Sequence, residues 1–130
     1  MTIYLDVQDV LQVHRLVIRE TGGGAGVRDG GLLESAVAQP QASFGGTELC
    51  QSLEEKAAAL CYSIVMNHPF VDGNKRTGFV SADTMLRLNG FAVEVATDAG
   101  EETILKLASG NVTREHLTAW FSEHVREMTQ

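Results

Sequence analysis

Basic side chains are scarce in this sequence: 10 Lys and Arg stand against 17 Asp and Glu among 130 residues, a formal charge of −7. Nucleic acids and anionic membranes draw most of their affinity from a basic face, so neither is expected as a direct partner, although one small basic site is still allowed. Cysteine is almost absent too. Cys50 and Cys61 are too few for a disulfide scaffold, and their spacing matches no zinc ribbon or redox motif. No stretch approaches the roughly 18 uncharged apolar residues of a membrane span. The opening MTIYLDVQDV lacks a basic n-region and an apolar h-region, so no secretion signal is expected and a cytoplasmic location follows. What is present is ordinary for a globular protein. With 44% apolar and 21% charged residues, residues 1–130 read as a single compact domain with a substantial core.

Helical periodicity dominates the chain. Val10, Leu11, Val13, His14, Val17 and Ile18 share one side of a helix expected from about Asp6 to Glu20, which Gly22 to Gly26 then stop. A second short helix is expected from Gly31 to Gln39, ending at Pro40, and Phe44-Gly45-Gly46-Thr47 reads as an exposed turn or flap. Ser52-Leu53-Glu54-Glu55 fits a capping box that opens a third helix. Its run from Ala57 to Met66 is apolar almost all round, as a buried central helix requires, and Pro69 ends it at His68. A fourth helix is expected from Lys75 to Leu88, with Phe79, Val80, Ala82, Met85, Leu86 and Leu88 mostly inward. Residues 91–95 read as a short extended piece. Two further helices follow, one capped by Asp98 with Glu101 and one by Thr113, the last carrying Leu117, Trp120, Phe121, His124 and Val125. The expected fold class is all-α, a compact bundle of about six helices with at most a small β-hairpin flap.

Reactive side chains concentrate in His68-Pro69-Phe70-Val71-Asp72-Gly73-Asn74-Lys75-Arg76-Thr77, between the two most apolar helices. Asp72-Gly73-Asn74 is turn chemistry, and Asn74 is expected to cap the helix that follows. A helix N-terminus offers unpaired N–H groups and partial positive charge, which favour an anion, above all phosphate. Gly73 permits close backbone approach, and Lys75 and Arg76 add full charges at the end of a helix where cations are disfavoured, which implies a bound anion. Asp72 is then explained by magnesium, which takes one or two carboxylates together with phosphate oxygens. His68 lies at the far lip of the loop, placed to take a proton from a hydroxyl. Base, metal carboxylate and phosphate cradle together point to phosphoryl or nucleotidyl transfer. The glycine spacing matches neither a P-loop nor the dinucleotide-binding fingerprint.

The nine residues from His68 to Arg76 resemble the signature loop of the Fic/Doc family, H-P-F-x-[DE]-G-N-[GK]-[RK]. The surrounding stretch resembles its short death-on-curing branch, through Arg28-Asp29 with Leu32-Leu33-Glu34, Pro40-Gln41-Ala42, Phe44-Gly45-Gly46 and Ser52 to Ala57. The resemblance implies a small helical bundle around the loop, with ATP and Mg2+ as cofactors. It also implies roles: His68 as base, Phe70 as loop anchor, Asp72 as magnesium ligand, the Gly73 and Asn74 backbone with the Asn74 side chain as phosphate cradle, and Arg76 on a terminal phosphate. Two positions depart from the adenylylating pattern, which has a glycine after the asparagine and a second arginine three residues after the first. They are Lys75 and Phe79 here. The resemblance implies that lysine fills the α-phosphate pocket and turns the γ-phosphate of ATP toward the target. That is the arrangement of a Doc-like toxin, a kinase understood to phosphorylate a threonine of translation elongation factor Tu. AMP transfer to a hydroxyl and a catalytically inactive binding module are the alternatives. The inhibitory-helix motif [ST]-x-x-x-E-[GN] fails, since Thr97 with Glu101 is followed by Glu102, so restraint is expected from a separate antitoxin whose disordered segment folds near the loop.

Other polar and aromatic residues carry plainer readings. His14 is expected in the core or at its boundary, His116 and His124 in surface or packing roles, and Cys61 as a buried hydrophobe. Trp120 and Phe121 read as core. Phe44 either covers the core or sits on a flap that grips an extended target by strand addition.

Overall fold

The computed structural model describes residues 1–94 and 97–128. Among these, α1 (Val7–Thr21), α2 (Gly30–Ala38), α3 (Leu53–Asn67), α4 (Asn74–Leu88), α5 (Thr97–Ala108) and α6 (Arg114–His124) form the bundle. A 3₁₀ turn at Gln39–Gln41 follows α2, where Pro40 lacks the N–H needed to continue the α pattern. Strands β1 (Ser43–Phe44) and β2 (Thr47–Glu48) pair as an antiparallel hairpin. Its turn, Gly45-Gly46, takes φ of 59° and 83°, the doubly positive geometry that two-residue hairpins favour.

The capping box expected at Ser52 is formed in full. Ser52 Oγ accepts from Glu55 N at 3.1 Å, and Glu55 Oε1 accepts from Ser52 N at 3.3 Å. Asp6 and Asp9 build a second box at the start of α1. Helix α3 is buried from Lys56 to Cys61 and from Ser63 to Val65, and it packs against α2, α4 and α6. It is the centre of the molecule because its small residues Ala57, Ala58 and Ala59 let neighbours approach on every side. Burial pushes the Cys61 thiol well above its usual range, which leaves it an inert hydrophobe, as expected.

Several expectations needed correction. The chain is predominantly helical, as expected, and the extended piece expected at 91–95 forms a second small strand pair beside the hairpin. Strand β3 (Phe91–Val93) pairs antiparallel with β4 (Val125–Glu127), so Val125 leaves the last helix and joins a ladder opposite Val93. Only a long-range partner could decide that, since alternation over three residues is no signal. Leu88 is 49% exposed at the end of α4, while Thr77 and Ser81 take buried positions beside α3 in its place. The cap expected of Asp98 with Glu101, and residue Val95, lie outside what the structure describes. No helix among the described residues is long and apolar enough to cross a membrane. Phe44 is 82% exposed at the hairpin tip, so it does not cover the core.

Candidate active site

Helix α3 ends where the reactive loop begins. His68 is the C-cap, in left-handed geometry at φ 52° and ψ 54°, and the only non-glycine residue with positive φ among those described. The following Pro69 disfavours right-handed helical geometry here, so the chain turns sharply and leaves the imidazole exposed. Arg28 secures the turn. Its Nε donates to the His68 carbonyl at 2.7 Å and its Nη2 to the Asn67 carbonyl at 2.9 Å, satisfying two orphan oxygens of the helix end with one guanidinium. The backbone N–H groups of Arg28 and Asp29 both donate to the Pro69 carbonyl, at 2.7 and 3.0 Å.

The middle of the loop is anchored from inside. Phe70 is fully buried and stacks on His14 with ring centroids 3.9 Å apart and planes 7° from parallel. Asn74 closes the loop onto the same residue: its Oδ1 accepts from Phe70 N at 2.9 Å and its Nδ2 donates to Phe70 O at 3.0 Å. This corrects the expected cap. Asn74 is the first residue of α4, Gly73 is the N-cap, and the buried Asn74 amide bonds the backbone of Phe70. A side chain four residues on can satisfy both backbone groups of Phe70, and burial makes those bonds the more favourable use. Asn89 repeats the device, pairing both ways with the backbone of Ile3 to hold the N-terminal segment.

The last part of the loop forms the mouth of α4. Gly73 at φ 78° begins the helix, and no side chain caps its first turn. Lys75 and Arg76 are exposed in that first turn, at the helix end whose dipole favours an anion. Asp72 is exposed; its Oδ1 accepts from Gly73 N at 2.9 Å and its Oδ2 from Gly24 N at 3.4 Å. Its carboxylate therefore keeps free lone pairs facing outward. No group of three or more His, Cys, Asp or Glu gathers among the described residues to hold a metal alone. A single carboxylate beside a phosphate-binding helix end suits magnesium, which completes its shell with phosphate oxygens and water. The residues present fit that ion.

His68, Phe70, Asp72, Gly73, Lys75 and Arg76 all lie on the loop between α3 and α4 or in the first turn of α4, and residues that the sequence pattern missed reach the same loop. The glycine-rich stretch does more than end α1. Gly26 O accepts from Val71 N at 3.1 Å, Val27 bridges to Phe70, and a Cβ on Gly23 would lie 2.6 Å from Asp72 Oδ2. Five residues are more than a helix stop needs, and that excess length was the available signal. Between this stretch and α1 lies a cleft of about 570 Å³, lined by Leu11, His14, Arg15, Ile18 and Arg19 on one side and by Ala25, Gly26 and Val27 on the other. Phe79, at the position of the second family arginine, packs edge-on against Trp120 and stacks near Phe121.

Comparison with known proteins gives the same answer as the loop. Residues 4–86 match the model of the Fic/DOC family. The chain is 40% identical over 121 residues to a protein named Toxin Doc from Mycolicibacterium smegmatis, covering 92% of this chain and 91% of that one. It is 29% identical over 101 residues to a protein named Protein kinase doc from Escherichia phage P1, covering 78% and 79% respectively. A family match over most of the chain, and a relative similar over nearly its whole length, rest on the same helices that hold the loop, and on these grounds the chain belongs to the Fic/Doc family.

Proposed function

We propose that this chain is the toxin of a toxin–antitoxin module and transfers the γ-phosphate of magnesium-bound ATP to a Ser or Thr hydroxyl of a translation protein, elongation factor Tu being the expected target. The names of the two relatives, one a toxin and one a kinase, support the class. The observation that carries the choice of phosphate over AMP is at α4. Lys75 is exposed at its first turn, where adenylylating relatives have glycine, and Phe79 is engaged with Trp120 and Phe121 where they have a second arginine.

In this reading the His68 imidazole takes the proton of the target hydroxyl as its oxygen attacks the γ-phosphorus, the bond from that phosphorus to the β-phosphate oxygen breaks and ADP leaves, while Arg28 keeps the backbone of that base in place. The Gly73 end of α4 and the Lys75 and Arg76 side chains meet the phosphate oxygens. Asp72 would hold magnesium, which when bound offsets negative charge on the phosphates. The exposed hairpin with Phe44 at its tip offers an edge to an extended target segment. A cognate antitoxin would restrain the enzyme, and the cleft with Arg15 and Arg19 at its rim and apolar side chains on its floor suits a partly acidic, partly apolar segment that folds on binding. A cytoplasmic location belongs to the same proposal.

The test supplies ATP labelled at the γ- or at the α-phosphate to the protein with cell extract. Label entering protein from the γ position alone is the expected result. Label from the α position alone would replace this reading with AMP transfer, and label from neither would make the chain a binding module.

A further inference from the structure

His14 sits on α1, far from the loop in sequence, and is only 4% exposed. Its Nε2 lies 2.8 Å from the carbonyl oxygen of Asp72. A carbonyl only accepts, so this contact requires the hydrogen on Nε2. The Asp72–Gly73 peptide is trans, so its C=O and N–H point in opposite directions. With the oxygen tied to α1, the Gly73 N–H must face away from α1, where the Asp72 carboxylate accepts it.

The backbone itself does not impose that orientation. Glycine adopts positive and negative φ with nearly equal ease, so the Asp72–Gly73 peptide can turn over at little cost, carrying φ of Gly73 from 78° to the opposite sign. Two bonds oppose the turn. The Asp72 carboxylate can release the Gly73 N–H when it turns to a cation. The His14 bond cannot be displaced that way, because it is buried and its ring is clamped against Phe70. A Cβ at residue 73 would also lie 3.1 Å from Ile18 and 3.8 Å from His14 Cδ2, so α1 and the peptide are in close contact.

We infer that His14 is a positioning residue that locks the Asp72–Gly73 peptide against turning over, holding the Gly73 N–H toward the anion at the start of α4. This rests on the phosphate-transfer reading for its consequence but not for its geometry. His14→Phe keeps the ring stacked on Phe70 and removes the donor; His14→Gln returns a donor without the ring. Two measurements are made on the folded full chain of each variant: the Gly73 amide resonance by 1H–15N NMR, and the affinity for magnesium-ATP by titration in a His68→Ala background that prevents turnover.

In the Phe variant we expect the Gly73 amide to shift and broaden and magnesium-ATP affinity to fall about tenfold, the usual weight of one buried hydrogen bond, with the thermal midpoint lowered by a few degrees and the fold retained. The Gln variant should recover most of the affinity. A Gly73 resonance unchanged in the Phe variant overturns the lock whatever the affinity does. If the unsubstituted loop binds no magnesium-ATP, the phosphate-transfer reading fails, and the Gly73 resonance alone then decides the lock.

Discussion

His68 occupies a conformation that disfavours any side chain. A left-handed non-glycine residue costs about 1 kcal/mol relative to glycine, and here it is retained at the exposed histidine that ends α3. Pro69 removes the right-handed alternative, and Arg28 holds the carbonyl on the other side. This gives the position a signature that separates chemistry from stability. His68→Ala and His68→Gly should both abolish label transfer, since both lack the proposed base. The glycine variant should be more stable than the alanine variant by about 1 kcal/mol, measured by urea denaturation. Equal stabilities would mean that the turn is not strained. Cys61 is the opposite case: a reactive residue type whose burial makes it silent.

The functional loop is a hinge between α3 and α4 made rigid by other elements. α1 supplies His14 to Asp72, the segment before α2 supplies Arg28 and Gly26, and α4 supplies Asn74. Each acts on main-chain atoms, so the loop's path is held while His68, Asp72, Lys75 and Arg76 remain exposed. Arg28 is the most testable of these. Arg28→Ala should cost about 1 kcal/mol of stability, moderated by its exposure, yet lower transfer about tenfold because the base loses its backbone support. Arg28→Lys should not restore transfer, since a flexible point charge cannot span two carbonyls as the guanidinium fork does. Denaturation midpoints alongside labelled-phosphate transfer check both. Restoration by lysine would reduce Arg28 to a generic positive charge.

Lys56 joins three distant parts of the molecule. It is 5% exposed on α3, with its ammonium 5.4 Å from the centre of the Tyr4 ring, 3.4 Å from Thr2 Oγ1 and 3.9 Å from Glu48 of the hairpin. Contact with the Tyr4 side chain holds its pKa above the ordinary lysine value, and Glu48 adds to this against the opposing effect of burial. A pKa raised on folding contributes stability that is complete below the unfolded value near 10.5 and is lost as pH rises through the folded one. The natural chain should therefore lose more thermal stability than Lys56→Met as pH rises from about 10 to about 12, read by circular dichroism. Equal losses would show that Lys56 is not what ties hairpin and N-terminal segment to α3.

The helical bundle and the loop that carries the candidate site were readable from the chain alone, because both depend on near neighbours. The capping residues Asp6 and Ser52, the apolar run of α3, and the compact order His68, Asp72, Lys75, Arg76 act within a few residues of themselves. The sequence also carried the choice between Lys75 and glycine on which the proposed phosphate transfer depends. Tertiary structure decided what near neighbours cannot. It took Asn74 from cap to staple because Phe70 needed both its backbone groups satisfied in the core. It moved Val125 into a strand because Val93 lay opposite. It brought His14, Arg28 and the glycine-rich stretch onto the loop from 40 to 58 residues away. A hydrogen bond to a main-chain carbonyl asks little of the sequence at its accepting end, so no local pattern announces it; only packing selects which distant side chain reaches that oxygen.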